Sequence, residues 1–139
     1  MSKLLIDTNV VLDLLAKREH FYKSAAHIFS LADKNKLKLA ISSLTIANTN
    51  YVLSRLKSAS EAREILRRFR VLVRIVSLNE KIIDLALNDS TFSDFEDGLQ
   101  YYSAIENNLD IILTRDLKGF KGSNIPVMTP DEYLTSMKQ

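Results

Sequence analysis

The sequence has no cysteine, and this absence excludes several kinds of protein at once. Without thiols, the 139-residue chain can form no disulfide framework, thiolate zinc site, iron–sulfur cluster or cysteine nucleophile. It has only 3 glycines and 2 prolines, too few for a fibrous or disordered chain. No apolar run is long enough for a signal peptide or for the roughly 20 residues of a membrane span. We therefore expect a soluble, cytoplasmic protein that does not contact a membrane.

The remaining composition is that of an ordinary globular protein. Hydrophobic residues make up 46% of the chain and charged residues 26%. A chain of this length buries enough surface to fold without disulfides or metals, and it fits one domain over residues 1–139. The net charge of +2 permits a nucleic-acid partner without requiring one.

Short apolar runs alternate with amphipathic segments along the whole sequence. The runs at residues 3–6, 37–41, 71–76, 111–113 and 125–128 predict strands, and Pro126 places the last one at a sheet edge. Helical spacing or capping residues predict helices near 10–16, 21–32, 43–56, 58–69, 79–86, 99–105 and after 129. This order predicts an α/β fold, a three-layer sandwich with a central, mostly parallel sheet flanked by helices.

Acidic residues follow the predicted strands at points that a parallel sheet brings together. Asp7 follows the first strand directly, and Asp116 follows strand 111–113 after two residues. Asp94, Glu96 and Asp97 lie in the predicted loop before the 99–105 helix. In an open α/β sheet, ligands bind beyond the carboxyl ends of the strands, so these acids are expected to face one crevice. Residues 84–116 contain eight acids and a single base.

Carboxylates gathered without basic partners raise one another's pKa, and a bound cation usually neutralises them. Hard oxygen ligands select Mg²⁺ or Mn²⁺, which activate water and stabilise phosphodiester hydrolysis. The sequence therefore predicts metal-assisted hydrolysis of a phosphate ester. Asp94 fits a helix cap as well as it fits a ligand. Asp84, Asp89 and Asp13 are expected on the surface, and Asp110 precedes its strand at the wrong end.

Basic residues form two candidate surfaces for a nucleic acid. Residues 55–74 hold seven Lys or Arg against two Glu, a pattern that slightly favours a solvated helix face over a phosphate-binding patch. Arg115, Lys118 and Lys121 adjoin Asp116 and are better placed to bind a nucleic-acid backbone. Tyr101 and Tyr102 offer rings for base stacking, although Tyr102 also fits the core.

Three segments carry a resemblance to a known family: Leu5-Ile6-Asp7-Thr8-Asn9-Val10, Asp94-Phe95-Glu96-Asp97 and Leu113-Thr114-Arg115-Asp116. In order and spacing, over nearly the whole chain, they resemble the PIN-domain family. The resemblance implies a metal-dependent ribonuclease. Many small members are VapC-type toxins that cleave RNA and are inhibited by a partner antitoxin protein, and homodimers are common among them. The apolar 43–56 helix is a candidate interface for such a dimer.

The resemblance also assigns roles to individual residues. It implies that Asp7, Asp97 and Asp116 are the catalytic acids and, with Asp94, the ligands of Mg²⁺ or Mn²⁺. Residues expected to assist are Asn48, Glu96, Thr8 and Thr114.

One departure from the family pattern leaves a second hypothesis open. Many members have an acid, usually Glu, where this chain has Asn48. An amide oxygen can coordinate a metal but brings no charge. The alternative is therefore a catalytically weak or inactive PIN-like module that binds RNA or protein. A haloacid-dehalogenase phosphatase is less compatible, because its second Asp would fall at Asn9.

Overall fold

A computed structural model describes residues 1–138, which contain five strands and seven α-helices. In chain order these are β1 (Lys3–Ile6), α1 (Thr8–Leu15), α2 (Tyr22–Asp33), β2 (Lys38–Ser42), α3 (Ser43–Leu56), α4 (Ala59–Phe69), β3 (Arg74–Val76), α5 (Glu80–Leu87), α6 (Phe95–Glu106), β4 (Ile111–Leu113), β5 (Val127–Met128) and α7 (Pro130–Met137). Short 3-10 helices lie at Arg70–Leu72 and Leu117–Phe120. Within this part of the chain, no helix is both long and apolar enough to cross a membrane.

The five strands form one parallel sheet in the order β3-β2-β1-β4-β5, with β1 at its centre. Both faces of β1 are covered, so Leu4, Leu5 and Ile6 are fully buried. Leu4 and Ile6 pack with α1 to α4 and α7 on one face. Leu5 packs with Tyr101 and other residues of the α6 side on the opposite face. The predicted three-layer α/β sandwich with a parallel sheet is confirmed, and β5 is an edge strand as Pro126 predicted.

Side-chain caps begin several helices directly after the strands. Asp7, the residue after β1, accepts a hydrogen bond from the Thr8 N–H at the start of α1. Ser42, the last residue of β2, caps α3 by accepting a hydrogen bond from the Thr45 N–H. Asp94 caps α6. These caps satisfy backbone donors that a helix leaves free at its first turn. As a result, the amino ends of α1 and α3 begin at the carboxyl edge of the sheet.

Two predicted elements have different boundaries that affect the interpretation of the chain, and the strand predicted over 125–128 is also shorter, at Val127–Met128. The predicted strand 71–76 is only three residues long, because residues 70–72 form a 3-10 helix that follows α4. Val71 is 82% exposed, so its branched side chain signalled a strand without being buried in one. Helix α6 begins at Phe95, and Glu96 and Asp97 therefore lie in its first turn rather than in a loop. Acids are favoured there by the helix dipole.

The expectation that Asp13 lies on the surface was also wrong. Its side chain is only 1% exposed, on the inner face of α1. Arg115 donates to both Asp13 oxygens, at 2.7 Å from Nε and 3.0 Å from Nη2. The Arg115 guanidinium also lies 3.8 Å from the ring centroid of Phe21. This two-bond ion pair makes the buried carboxylate tolerable and ties the segment after β4 to α1.

Candidate metal centre

A hollow of about 290 Å³ lies at the carboxyl edge of the sheet and collects the acids predicted from the sequence. We call it the acid pocket, and its five acidic residues are Asp7, Asp94, Glu96, Asp97 and Asp116. They come from three separate segments: the end of β1, the start of α6 and the loop after β4. A larger hollow of about 550 Å³ lies at the opposite edge, but Asp33 is the one acid that lines it. The acid pocket is therefore the better candidate site.

Asp7 is the most buried acid of the pocket, with 8% of its surface exposed. Burial raises the pKa of its carboxyl group, and the charge of Asp116 acts in the same direction. Three hydrogen bonds oppose this rise: one from the Thr8 N–H at 2.9 Å, one from the Thr114 hydroxyl at 2.8 Å and one from the Gln100 amide at 3.0 Å. Both oxygens of Asp7 are thus oriented by donors at the start of α1, on α6 and directly after β4.

Asp97 shows most clearly that charges of the same sign crowd this pocket. Its pKa is raised to about 7, first by burial and then by repulsion from Asp7, Asp94, Asp116 and Glu96. Ionisation of this carboxyl group near neutral pH therefore costs free energy, and a bound cation would offset the repulsion.

Asp116 approaches Asp97 across Gly119. The Asp116 side chain caps the 3-10 helix Leu117–Phe120 by accepting a hydrogen bond from the Gly119 N–H at 3.3 Å. A Cβ atom added at Gly119 would lie 2.8 Å from Asp116 Oδ2 and closer still to Asp97 Oδ2. A real side chain does not tolerate such contacts. The absence of a side chain at this glycine is what allows the two carboxylates to converge.

Substitution of Gly119 by alanine is therefore expected to push these two carboxylates apart and to weaken Mn²⁺ binding by roughly tenfold, the loss that follows when a supporting group around a metal is disturbed. Isothermal titration calorimetry measures this affinity. Gly98→Ala is the matched control, because its Cβ would lie at an ordinary 3.5 Å from the Ala86 Cβ. Equal Mn²⁺ affinity in both variants would contradict the role given to Gly119.

Asp94, Glu96 and Asn48 form the outer rim of the pocket. Asp94 accepts a hydrogen bond from the Glu96 N–H at 2.9 Å, so it caps α6 while also lining the pocket. The Asn48 amide donates to Glu96 at 2.8 Å. A carboxylate therefore lies directly beside the neutral side chain at position 48.

A buried polar network behind Asp7 was not foreseen from the sequence beyond Thr8 and Thr114. The Gln100 amide nitrogen donates to Asp7 and, at 2.9 Å, to the Thr45 hydroxyl, while its oxygen accepts from Ser42 at 2.7 Å. Thr45 also lies 3.0 Å from the Thr8 hydroxyl. Gln100 follows Asp97 by three residues on α6, so helical spacing gave one signal that both face the pocket.

Gln100→Leu is expected to lower the free energy of unfolding by about 1–3 kcal/mol, because the buried Ser42, Thr45 and Asp7 side chains each lose one hydrogen bond. Urea denaturation at neutral pH measures this loss. The control is Asn88→Leu, which replaces an exposed amide at the end of α5. A loss no larger than that of the control would show that the network contributes little.

The bases predicted to bind a nucleic acid do not line the acid pocket. Arg115 is held by Asp13 and lines a neighbouring hollow, not the acid pocket. Lys118 and Lys121 are exposed and do not line the acid pocket either. The base that does line it is Arg18, which sequence reasoning missed.

The two tyrosines are also placed differently. Tyr101 is 5% exposed, so its ring is part of the core and is not a stacking surface. Tyr102 is half-buried and donates a hydrogen bond to Asp89 at 2.6 Å, which raises the pKa of Tyr102 to about 12.

The donor set of the acid pocket fits a hard divalent cation. Its five acidic residues offer carboxylate oxygens, the ligands that Mg²⁺ and Mn²⁺ prefer. The residues described include no cysteine, the ligand that favours zinc. Within residues 1–138, no three His, Asp or Glu groups are close enough to form a ready-made metal cluster. A bound cation would offset the repulsion among these acids, which together with burial raises the pKa of Asp97.

Comparison with known proteins gives consistent matches. The profile of the PIN domain matches residues 3–118. Ribonuclease VapC1 of Aquifex aeolicus (strain VF5) is 31% identical over 135 residues, which cover 95% of this chain and 93% of that protein.

Solved structures show the same fold. The DNA-bound VapBC of Salmonella typhimurium aligns with a TM-score of 0.71 at 15% identity, covering 94% of this chain and 99% of that one. VapBC2 of Rickettsia felis, bound to a DNA fragment from its promoter, aligns with a TM-score of 0.67 at 21% identity, covering 91% and 96%.

Proposed function

Because the chain belongs to the PIN-domain family, we propose that it is a divalent-metal-dependent endoribonuclease and the toxin of a toxin–antitoxin pair. The observation that carries this proposal is the convergence of Asp7, Asp97 and Asp116 from three distant segments into one pocket. The 31% identical relative is named a ribonuclease, which supports RNA as the substrate.

Asp7, Asp97 and Asp116 would hold the Mg²⁺ or Mn²⁺, with Asp94 beside them. When bound, the ion supplies activated water near neutral pH and neutralises charge that develops on the phosphate. The chain's own contribution is orientation. Thr114 and Gln100 fix both oxygens of Asp7, and Gly119 leaves room for Asp97 beside Asp116.

The neutral Asn48 is compatible with this activity, since Glu96 compensates for the missing charge. Its carboxylate is drawn to the Asn48 amide at 2.8 Å, next to the position where many family members have their acid. We infer that Glu96 takes over part of that acid's electrostatic role. The inactive binding module remains the competing proposal, and the next experiment separates the two.

The test is hydrolysis of end-labelled single-stranded RNA by the purified protein in Mg²⁺ or Mn²⁺. We expect internal cleavage that EDTA abolishes and that Asp116→Asn removes, whereas Asp84→Asn, at an exposed position of α5, retains it. Equal cleavage by the Asp116→Asn protein would identify a contaminant and overturn the proposal. RNA binding without any cleavage would favour the inactive module.

The toxin role has its own test. We expect overexpression to arrest growth, and the Asp116→Asn variant to be harmless, because toxicity then depends on cleavage. An adjacent reading frame for a small antitoxin protein would support the role, and one solved structure with the same fold is named a toxin–antitoxin complex from Klebsiella pneumoniae. Unimpaired growth at high expression would count against it.

We also propose a homodimer that uses α3. Tyr51 and Leu56 on this helix are 62% and 65% exposed, an unusual exposure for large apolar side chains. Light scattering of the purified chain checks the mass. We expect a dimer that Tyr51→Ser with Leu56→Ser dissociates, and a monomeric wild-type chain would contradict the proposal.

A further inference from the structure

Arg18 is the only basic side chain that lines the acid pocket within residues 1–138. We propose that Arg18 binds a backbone phosphate of the RNA strand next to the cleavage site. The inference rests on the proposed ribonuclease function and names one residue that positions its substrate.

Two guanidinium groups compete for one carboxylate, and Arg18 holds the weaker position. Arg115 takes both oxygens of Asp13 at 2.7 and 3.0 Å, whereas Arg18 Nη1 lies 3.8 Å from Asp13 Oδ1. The cluster of Asp13, Arg18 and Arg115 therefore carries one excess positive charge. Because Arg115 is fully engaged, that charge is available at Arg18, whose side chain is 38% exposed at the pocket.

Backbone hydrogen bonds hold Arg18 in the turn between α1 and α2. Lys17 directly follows the C-cap of α1 and has a left-handed φ of 50°, a common way for a helix to end. His20 also has a positive φ, of 74°. The Arg18 N–H donates to the Asp13 carbonyl at 3.1 Å, and the Arg18 carbonyl accepts from the Phe21 and Tyr22 N–H groups at 3.2 and 2.9 Å.

The chemistry of the pocket calls for such a group. Five acids line the pocket and repel the polyanionic backbone of RNA, so a strand that enters needs a cation beyond the metal. A guanidinium offers paired N–H donors that match the oxygens of a phosphate. The bases predicted from the sequence, Arg115, Lys118 and Lys121, do not line the pocket and leave this role to Arg18.

The experiment measures RNA affinity across a salt series in the full chain carrying Asp7→Asn, which we expect to bind RNA without cutting it. Adding Arg18→Gln is expected to weaken binding roughly tenfold at low salt. The slope of log affinity against log salt should become shallower by about 0.7, the value for one lost phosphate contact to a single strand. Lys36→Gln removes the same charge beside the start of β2, at the opposite edge of the sheet, and should change neither quantity.

Two further measurements keep the result decisive. Arg18→Lys retains the charge and should recover most of the salt slope, and in the cleaving protein Arg18→Gln should raise KM while kcat changes little. The melting temperature of Arg18→Gln should match that of the parent protein. Its Mn²⁺ affinity should be no weaker, because the substitution removes a positive charge from the acid pocket. An unchanged salt slope in a folded Arg18→Gln protein would overturn the inference and leave the ribonuclease proposal standing, whereas a wild-type chain that neither binds nor cleaves RNA would overturn both.

Discussion

Replacing Asp7 by Asn is expected to reduce RNA cleavage by about 1,000-fold or more, since the metal it helps to hold contributes several kcal/mol of transition-state stabilisation. Asp7 is the acid in contact with all three segments of the site: Thr8 after β1, Gln100 on α6 and Thr114 after β4. The amide keeps the shape of the side chain and removes its charge. Initial rates on labelled RNA in Mn²⁺ measure the effect.

Two controls separate a lost site from a lost fold. Asp84→Asn changes an exposed acid of α5 in the same way and should leave the rate unchanged. The free energy of unfolding of Asp7→Asn should stay within about 1 kcal/mol of the parent protein, because removing a buried charge offsets the altered hydrogen bond from Thr114. Cleavage at more than a tenth of the parent rate would contradict a central role for Asp7.

The metal-free protein is expected to lose stability as pH rises from about 4 to about 8, because folding raises the pKa of Asp97 from 3.8 to about 7. Between these two values the folded chain binds a proton that the unfolded chain has released, so each step up in pH favours unfolding. The stabilisation that Asp97 contributes is therefore fully present below pH 3.8 and is lost as the pH rises through about 7. Since Asp97 is partly exposed, solvent screening limits the loss to about 1 kcal/mol. The raised pKa of Asp7 acts in the same direction.

Urea denaturation at several pH values in EDTA measures this loss, and two changes should remove it. Asp97→Asn has no charge to repel its neighbours, so its stability should fall less with pH. Saturating Mg²⁺ or Mn²⁺ should restore the free energy of unfolding of the parent protein above neutral pH. The same ions should have a smaller effect on Asp97→Asn. Parallel pH profiles for the two proteins would show that crowding of the acids does not set the pKa of Asp97.

The parts of the molecule set by local patterns were predictable. Short apolar runs and capping residues correctly predicted β1, α3 and α7. The rule that parallel strands end at one edge of a sheet predicted that Asp7, Asp97 and Asp116 face one crevice, and all three line the acid pocket. The strand predicted over 71–76 was wrong at its start, because branched residues favour a strand both within it and in the segment that precedes it. A pattern of residue types carries no information about where the chain turns out of the sheet.

The supporting residues were not predictable, because their roles depend on partners far away in the chain. Asp13 became buried only because Arg115, 102 residues later, reaches it from the loop after β4. Because Arg115 pairs with Asp13, it does not line the acid pocket, whereas Arg18 does. The role of Gln100 depends on its contacts with Ser42, which ends β2, and with Asp7, which follows β1.

The central place of β1 in the sheet has a consequence for the timing of activity during synthesis. The first strand supplies Asp7, yet its neighbour on one side is β4, and Asp116 follows that strand. During synthesis, β1 therefore lacks this neighbour, and Asp7 lacks its hydrogen bond from Thr114, until residues 111–114 have been made. If the proposed function is correct, we expect a nascent chain to cleave no RNA before Asp116 has joined the acid pocket.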